Sequence, residues 1–379
     1  MRCIWLNSLT YILSCFLLLT SFFAEALDSQ APYAVLIDAK NATVLFEKQA
    51  HKAVPPSSMS KLMSLYVIFN KLKDGSIKED GLVPVSAAAY NAPGTRMFLE
   101  IGQQVQVRDL LLGMIVQSGN DATIALAEFI AGTEANFVQM MNQEAQKLGL
   151  LQSHFGNSSG LPHPQQYMSC YDLAILSKAI IDEHPEYYKL FNLKEFTYSG
   201  ITQYSRNTAL GQMGVDGLKT GFTDAGGYGI AMSAQIDDNR RLIAVVNGLP
   251  SEQARIDAAR DLITHGINDF HTIKIAAAKK AITTAPIWHG ELAEVAVVAK
   301  NDIEVMLPKQ FSLQQIDVKV VMTTPLHAPL SGNDKVAVMR VKLPNETTLE
   351  VELYPQCDVG EAGMLKKVYQ NIMSKIWVN

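Results

Sequence analysis

The hydrophobic rhythm of this chain changes near residue 271, and that change limits what it can fold into. Upstream, two apolar strand-like runs (33–38 and 43–46) flank a four-residue link that reads as a hairpin turn. Pro55-Pro56-Ser57 then breaks the chain, and Leu62, Leu65, Tyr66, Phe69 and Leu72 recur at helical spacing over 59–72. Further helical patterns cover 107–117, 122–131 and 169–181, with a Gly/Pro loop at 160–164. Strands at 231–234 and 242–246 bracket the turn Asp237-Asp238-Asn239, and a helix follows from Glu252 to about Phe270. Strand, helices, strands, helix describes a mixed α/β domain whose sheet is built from hairpins at both ends. Downstream, five short strand-like runs (295–298, 303–307, 318–322, 336–341 and 349–353) alternate with Pro, Gly and Asn, the texture of a small all-β module. The boundary falls at 271–280 on this reading.

With 379 residues, 48% of them hydrophobic, the chain can bury two cores. A net charge of -5 carries no nucleic-acid signature, and no phosphate loop or Cys/His metal pattern is present, so neither cofactor nor metal is expected. Arg2, the apolar stretch 11–23 and Ala24-Glu25-Ala26 read as a signal peptide over 1–26, cleaved after Ala26, with an uncleaved anchor as the alternative. Cys3 and Cys15 fall in that segment, which leaves Cys170 and Cys357 as two isolated thiols. At the other end, Leu365, Val368, Ile372, Ile376 and Trp377 share a helix face with Lys366, Lys367 and Lys375 alongside. That chemistry suits either a helix lying in a membrane interface or one docked on the β module.

Three short strings carry the chemistry. Ser58 and Lys61 stand three residues apart at a helix start and so face the same way. A serine hydroxyl needs a base, and a lysine serves only if burial or a second cation lowers its pKa. Lys219 is a candidate for that cation. The helix N-terminus also directs N–H groups toward an oxyanion. Such a pair alone recurs by chance. Ser118-Gly119-Asn120 lies on a loop between helices, where the hydroxyl can relay a proton and the Asn amide can bond a substrate carbonyl and a lysine. Taken alone it would be an ordinary turn with a helix cap. Lys219-Thr220-Gly221 reads as an edge strand: a cation and a hydroxyl suited to a carboxylate, a glycine for close backbone approach, and the Phe222 N–H as an oxyanion donor. By itself it could be a surface strand with a solvated lysine. Jointly, order and spacing match the S-x-x-K, S-x-N, K-T-G set of serine acyltransferases.

These motifs and their flanks resemble the D-alanyl-D-alanine carboxypeptidases, the low-molecular-mass penicillin-binding proteins. The matching segments are residues 56–63, 117–122, Gly160-Leu161-Pro162, 171–174, Arg206-Asn207, 215–221 and 326–330. The resemblance implies an α/β penicillin-recognition (serine β-lactamase-like) domain over 30–271, a small all-β sandwich domain over 272–358 and an amphipathic C-terminal anchor helix over 361–379. It implies removal of the terminal D-Ala from peptidoglycan pentapeptide stems through a serine ester, at the periplasmic face of the cytoplasmic membrane, with β-lactams as covalent inhibitors. In that scheme Ser58 is the nucleophile, Lys61 the general base and Ser118 the proton relay. Asn120, Arg206, Lys219, Thr220, Gly221 and Phe222 hold the substrate.

The chain departs from the family's usual pattern by carrying Phe222 where a His is common after K-T-G, and Tyr167 in the loop before Tyr171-Asp172. Three rivals share the fold. A class A β-lactamase needs a Glu-bearing segment, and residues 151–171 contain no Asp or Glu, leaving at most weak β-lactam hydrolysis. A D,D-endopeptidase generally lacks the extra β domain. A non-catalytic cell-wall binding protein has no need of an intact Ser58, Lys61 and Lys219.

Overall fold

The structure is a computed structural model that describes residues 28–344 and 347–377, with the side chains of 373–377 left out. The export segment 1–26 lies outside the described residues, as do the side chains of Lys375, Ile376 and Trp377. Chain order begins with strands β1 (Tyr33–Asp38) and β2 (Val44–Lys48), then helices α1 (Lys61–Lys73), α2 (Val107–Val116), α3 (Asn120–Ala131), α4 (Glu134–Lys147) and α5 (Cys170–Glu183). Strands β3 (Val215–Thr223), β4 (Gly227–Asp237) and β5 (Arg240–Leu249) and helix α6 (Glu252–Asp269) complete the first unit.

The five strands form one antiparallel sheet in the order β2-β1-β5-β4-β3. Period-two alternation sends side chains to opposite faces. Val35, Ile37, Ile243 and Val245 enter a core shared with α1 to α5, and Ala34, Leu36, Leu242, Ala244 and Val246 enter a second core under α6. The sheet is therefore covered by helices on both faces, as a mixed α/β domain requires. Helix α4 is absent from the sequence reading because its apolar stripe is narrow: only Phe137, Met141 and Ala145 are buried.

Among the described residues the second unit has eight strands: β6 (Phe270–Ala276), β7 (Ala281–Trp288), β8 (Glu294–Val298), β9 (Ile303–Pro308), β10 (Asp317–Met322), β11 (Leu326–His327), β12 (Ala337–Lys342) and β13 (Thr348–Pro355). A six-stranded sheet (β10-β12-β13-β8-β7-β11) faces the ribbon β6-β9 across a core that includes Val297, Val305, Leu307, Met339 and Leu353. The first strand starts at Phe270, directly after α6.

The units are joined by more than the chain. Lys40 Nζ, in the β1–β2 turn, lies 2.7 Å from Glu304 Oε2, and Asn41 Nδ2 donates to the Glu304 carbonyl at 3.1 Å. Phe270 and Met306, from β6 and β9, are sealed into the core beneath α6. Helix α7 (Met364–Trp377) attaches through polar contacts: the His289 N–H donates to Gln370 Oε1 at 2.8 Å, and Lys366 Nζ donates to the Glu291 carbonyl at 2.8 Å. Met364, Leu365, Val368 and Ile372 remain exposed. Among the described residues no helix is long and apolar enough to cross a membrane. Cys170 is buried and Cys357 exposed, both as free thiols.

Candidate active site

Three elements converge on one cleft. The segment 57–60 forms a 3-10 turn that runs into α1, with Ser58 on the turn and Lys61 as the first α-helical residue. Ser57 is held at φ +53°, a left-handed backbone that swings the chain from Pro56 into the turn. Strand β3, at the sheet edge, runs against this turn. A Cβ on Gly221 would come within 2.9 Å of the Pro56 carbonyl oxygen and 3.1 Å of the Met59 nitrogen. The expected close backbone approach is therefore real, and only glycine permits it.

The second string arrives from the α2–α3 link. Ser118 takes φ +66°, uncommon for a serine, and its Oγ is buried without a hydrogen-bond partner among the described residues. The sequence reading put Asn120 on a loop, but it is the first residue of α3. Helical geometry fixes its side chain: Oδ1 accepts from Lys61 Nζ at 2.7 Å and Nδ2 donates to the Pro93 carbonyl at 2.6 Å. The neighbouring Asp121 carboxylate is buried and accepts the N–H groups of Met97 (3.0 Å) and Leu99 (3.3 Å). It thereby pins the 95–99 loop, whose Thr95 hydroxyl donates to the Ser118 carbonyl at 2.6 Å.

Lys61 is the centre of the site. Its side chain is fully buried, and Nζ donates to Ser58 Oγ at 3.1 Å, to Asn120 Oδ1 and to the Ser159 carbonyl. Burial, then the Arg206 cation, push its pKa down to about 7, with Asp121 opposing. Lys219 is also buried and is pushed well below the usual lysine range by burial, then by Lys61, Arg206 and Arg255. Of the neighbouring cations, Arg206 lowers Lys61 after burial, and Lys61 and Arg206 in turn lower Lys219. A bound carboxylate would oppose that lowering at Lys219, since an opposite charge nearby favours the protonated amine.

The cleft has a volume of about 230 Å³, and Ser58, Ser118, Asn120, Arg206, Thr220 and Phe222 are among the residues that line it. Asn207 fixes the exposed Arg206 by donating from Nδ2 to the Gly217 carbonyl on β3 at 3.1 Å. Asp216, just before the third string, receives Arg241 through both guanidinium nitrogens at 2.7 Å, which anchors the start of β3. Phe222 is 46% exposed and stacks on Tyr228 with ring centroids 4.1 Å apart.

Four contributors escaped the sequence reading. Arg255, buried in α6, lies over the Tyr228 ring at 5.5 Å and donates to the Gly221 carbonyl at 3.3 Å. Ser159 acts through its carbonyl, and no side-chain pattern reveals that. Thr95 and Asp121 act by bracing a loop. An Arg on the otherwise apolar buried face of the 252–269 helix was the one available signal, and it belongs to no motif.

A family model described as "D-alanyl-D-alanine carboxypeptidase" matches residues 20–251, and one described as "Penicillin-binding protein 5, C-terminal domain" matches 270–361. D-alanyl-D-alanine carboxypeptidase DacD of Salmonella typhimurium is 37% identical over 343 residues, 88% of this chain and 87% of that protein. Penicillin binding protein 5 from Haemophilus influenzae superposes with a TM-score of 0.80 at 34% identity, covering 88% of this chain and 99% of that one. Penicillin-Binding Protein D2 from Listeria monocytogenes, solved in a cefotaxime-bound form, superposes with a TM-score of 0.59 at 29% identity, covering 64% of this chain and 99% of that one.

Proposed function

The chain belongs to the family of D-alanyl-D-alanine carboxypeptidases, and on that premise we propose how its residues divide the work of removing the terminal D-Ala from a peptidoglycan stem. Ser58 Oγ attacks the carbonyl carbon between the two D-Ala residues while Lys61, neutral in its buried setting, takes the hydroxyl proton. Backbone N–H groups at Ser58 and Phe222 face the developing oxyanion. The C–N bond then breaks, and the departing D-Ala amine receives a proton from Lys61 through the Ser118 hydroxyl. Water attacks the ester at Ser58 with Lys61 again as base, which releases the shortened stem.

The terminal carboxylate is held by Arg206, Lys219, Thr220 and Arg255. Asn120 bonds a substrate carbonyl while it aligns Lys61. The observation that carries this reading is the fully buried Lys61 amine, 3.1 Å from Ser58 Oγ, where burial lowers its pKa to about 7. β-Lactams should acylate Ser58 by the same attack; a cefotaxime-bound relative supports this. The exposed apolar residues of α7 support the membrane-interface reading over the docked one, and with the N-terminal pattern they support export to the outer face of the cytoplasmic membrane. The test is D-Ala release from a pentapeptide together with fluorescent-penicillin labelling. Wild type should score in both and Ser58→Ala in neither; an adduct mapped to Ser118 would overturn the assignment.

A further inference from the structure

Arg255 is a buried cation without an acid to hold it. It is 2% exposed on α6, yet no carboxylate among the described residues lies within hydrogen-bond distance of it. Glu252, one turn earlier, stops 3.7 Å from Nη2 and has a largely exposed side chain. Nη1 donates to the Gly221 carbonyl at 3.3 Å, but the buried Nε and Nη2 have no hydrogen-bond partner among the described residues. Burying an unpaired charge is costly, so another kind of partner must steady this one.

That partner is a ring. The Tyr228 ring centroid lies 5.5 Å from Arg255 Cζ. Tyr228 faces Phe222 across the β3–β4 pairing, and the two rings stack with centroids 4.1 Å apart and planes 26° from parallel. Gly221, whose carbonyl accepts from Arg255, immediately precedes Phe222. A carbonyl and a stacked pair of rings therefore cradle the guanidinium. Arg255 and Phe222 line the cleft together with Ser58, Arg206 and Thr220.

The kind of partner has a chemical consequence. An acid beside Arg255 would occupy its N–H donors and cancel its charge. The face of an aromatic ring attracts a guanidinium through its quadrupole and does neither. The cation keeps two donors open, which suits a carboxylate that arrives with a substrate. Its charge is felt at the carboxylate-binding end of the cleft, since Arg255 is among the cations that hold Lys219 below the usual lysine range. A guanidinium fork recognises a carboxylate by direction, so its orientation has to be fixed in advance.

We propose that Tyr228 is a positioning residue for carboxylate recognition: its ring holds Arg255 at the cleft with the donors open, and the stacked Phe222 ring keeps Tyr228 in place. Tyr228 acts through Arg255 and not on the substrate. The proposal rests on the carboxypeptidase reading above and adds the group that aims one of its carboxylate-binding cations.

The experiment uses two thioesters of N-acetyl-D-alanine. One has thioglycolate as its leaving group and carries a carboxylate; the other has ethanethiol and carries none. Both acylate the enzyme by the same attack, so the ratio of their kcat/KM values reports carboxylate recognition. Wild type should prefer the thioglycolate ester. Tyr228→Leu should lose about tenfold in kcat/KM on that ester, mostly through KM, and stay within about twofold on the ethyl thioester. Tyr228→Phe keeps the ring and should match wild type on both. Arg255→Gln should lose the same preference, and Tyr228→Leu added to it should cost little more, because the two act as one unit. Phe222→Ala, at an exposed position, should show the same selective loss in smaller measure. Equal loss on both esters, a Tyr228→Phe variant as impaired as Tyr228→Leu, or fully additive losses in the double variant would overturn the proposal. Should circular dichroism show that Tyr228→Leu does not fold, Phe222→Ala decides, and an unselective or absent loss there overturns it. A wild type that hydrolyses neither ester, or that shows no preference for the carboxylate, would instead count against the carboxypeptidase reading itself.

Discussion

The sharpest test of the site is the pH dependence of acylation and its response to Arg206→Gln. Only the neutral form of Lys61 can accept the Ser58 proton. With a pKa of about 7, half of the enzyme has that form at neutral pH. An ordinary lysine would have about one molecule in 3,000 in it. The second-order constant for acylation by a penicillin should therefore rise with pH through about 7 and level off above 8. The drug's carboxylate stays ionised throughout and adds no titration of its own. After burial, the largest influence on Lys61 is Arg206. Removing a nearby like charge raises a lysine pKa by about 1 unit, about 1.4 kcal/mol. Arg206→Gln should then acylate roughly tenfold more slowly at pH 6 than wild type, beyond any loss of carboxylate binding, while that extra deficit vanishes at pH 9. Stopped-flow quenching of protein fluorescence measures both limbs. A wild-type midpoint near 10 would refute Lys61 as the base. An equal deficit at pH 6 and pH 9 would show that Arg206 acts on the drug's carboxylate and not through Lys61.

Three further outcomes are expected. Lys219→Arg keeps a cation for the carboxylate and should retain part of the D-Ala release, whereas Lys61→Arg cannot act as a base and should lose it by several orders of magnitude; equal activities in a coupled D-Ala assay would contradict the assigned roles. Gly160→Ala places a methyl group against the Ser57 carbonyl and Ser60 Oγ at a position with φ +81°, so it should cost more than about 1 kcal/mol in urea denaturation and slow acylation by displacing the Ser159 carbonyl from Lys61. Deleting 361–379 should abolish co-sedimentation with anionic vesicles and leave activity on a soluble pentapeptide unchanged; retained vesicle binding would give α7 another role.

How much could be read in advance depended on whether a residue acts through its own side chain in a local pattern. Ser58, Lys61 and Lys219 announce themselves, because only a few residue types can perform nucleophilic attack, proton transfer or carboxylate capture. Gly221 was legible for the same reason, since an edge strand pressed against a turn tolerates nothing larger. Arg255 was not, because a single cation on a distant helix has no spacing to reveal it. The Ser159 carbonyl was invisible in principle, since every residue carries one. Among the fold elements, the two-residue strand Leu326–His327 is too short for alternation to show, and Ala281–Trp288 hides behind Thr283-Thr284 and Pro286.

The strand that carries Glu304 also sends Met306 out of the β module and into the core beneath α6, beside Phe270. Sequence boundaries would divide the protein near 271, yet the first unit does not close its core without Phe270 and Met306, whereas the β module has a core of its own. Heating should therefore melt both units in a single calorimetric transition. Met306→Ala removes the shared side chain at a cost of about 2–5 kcal/mol, and the endotherm should then split in two. The β module would on this account be a structural partner in the thermal cooperativity of the enzyme, and an excised catalytic unit would be expected to fold with a hole where Met306 belongs.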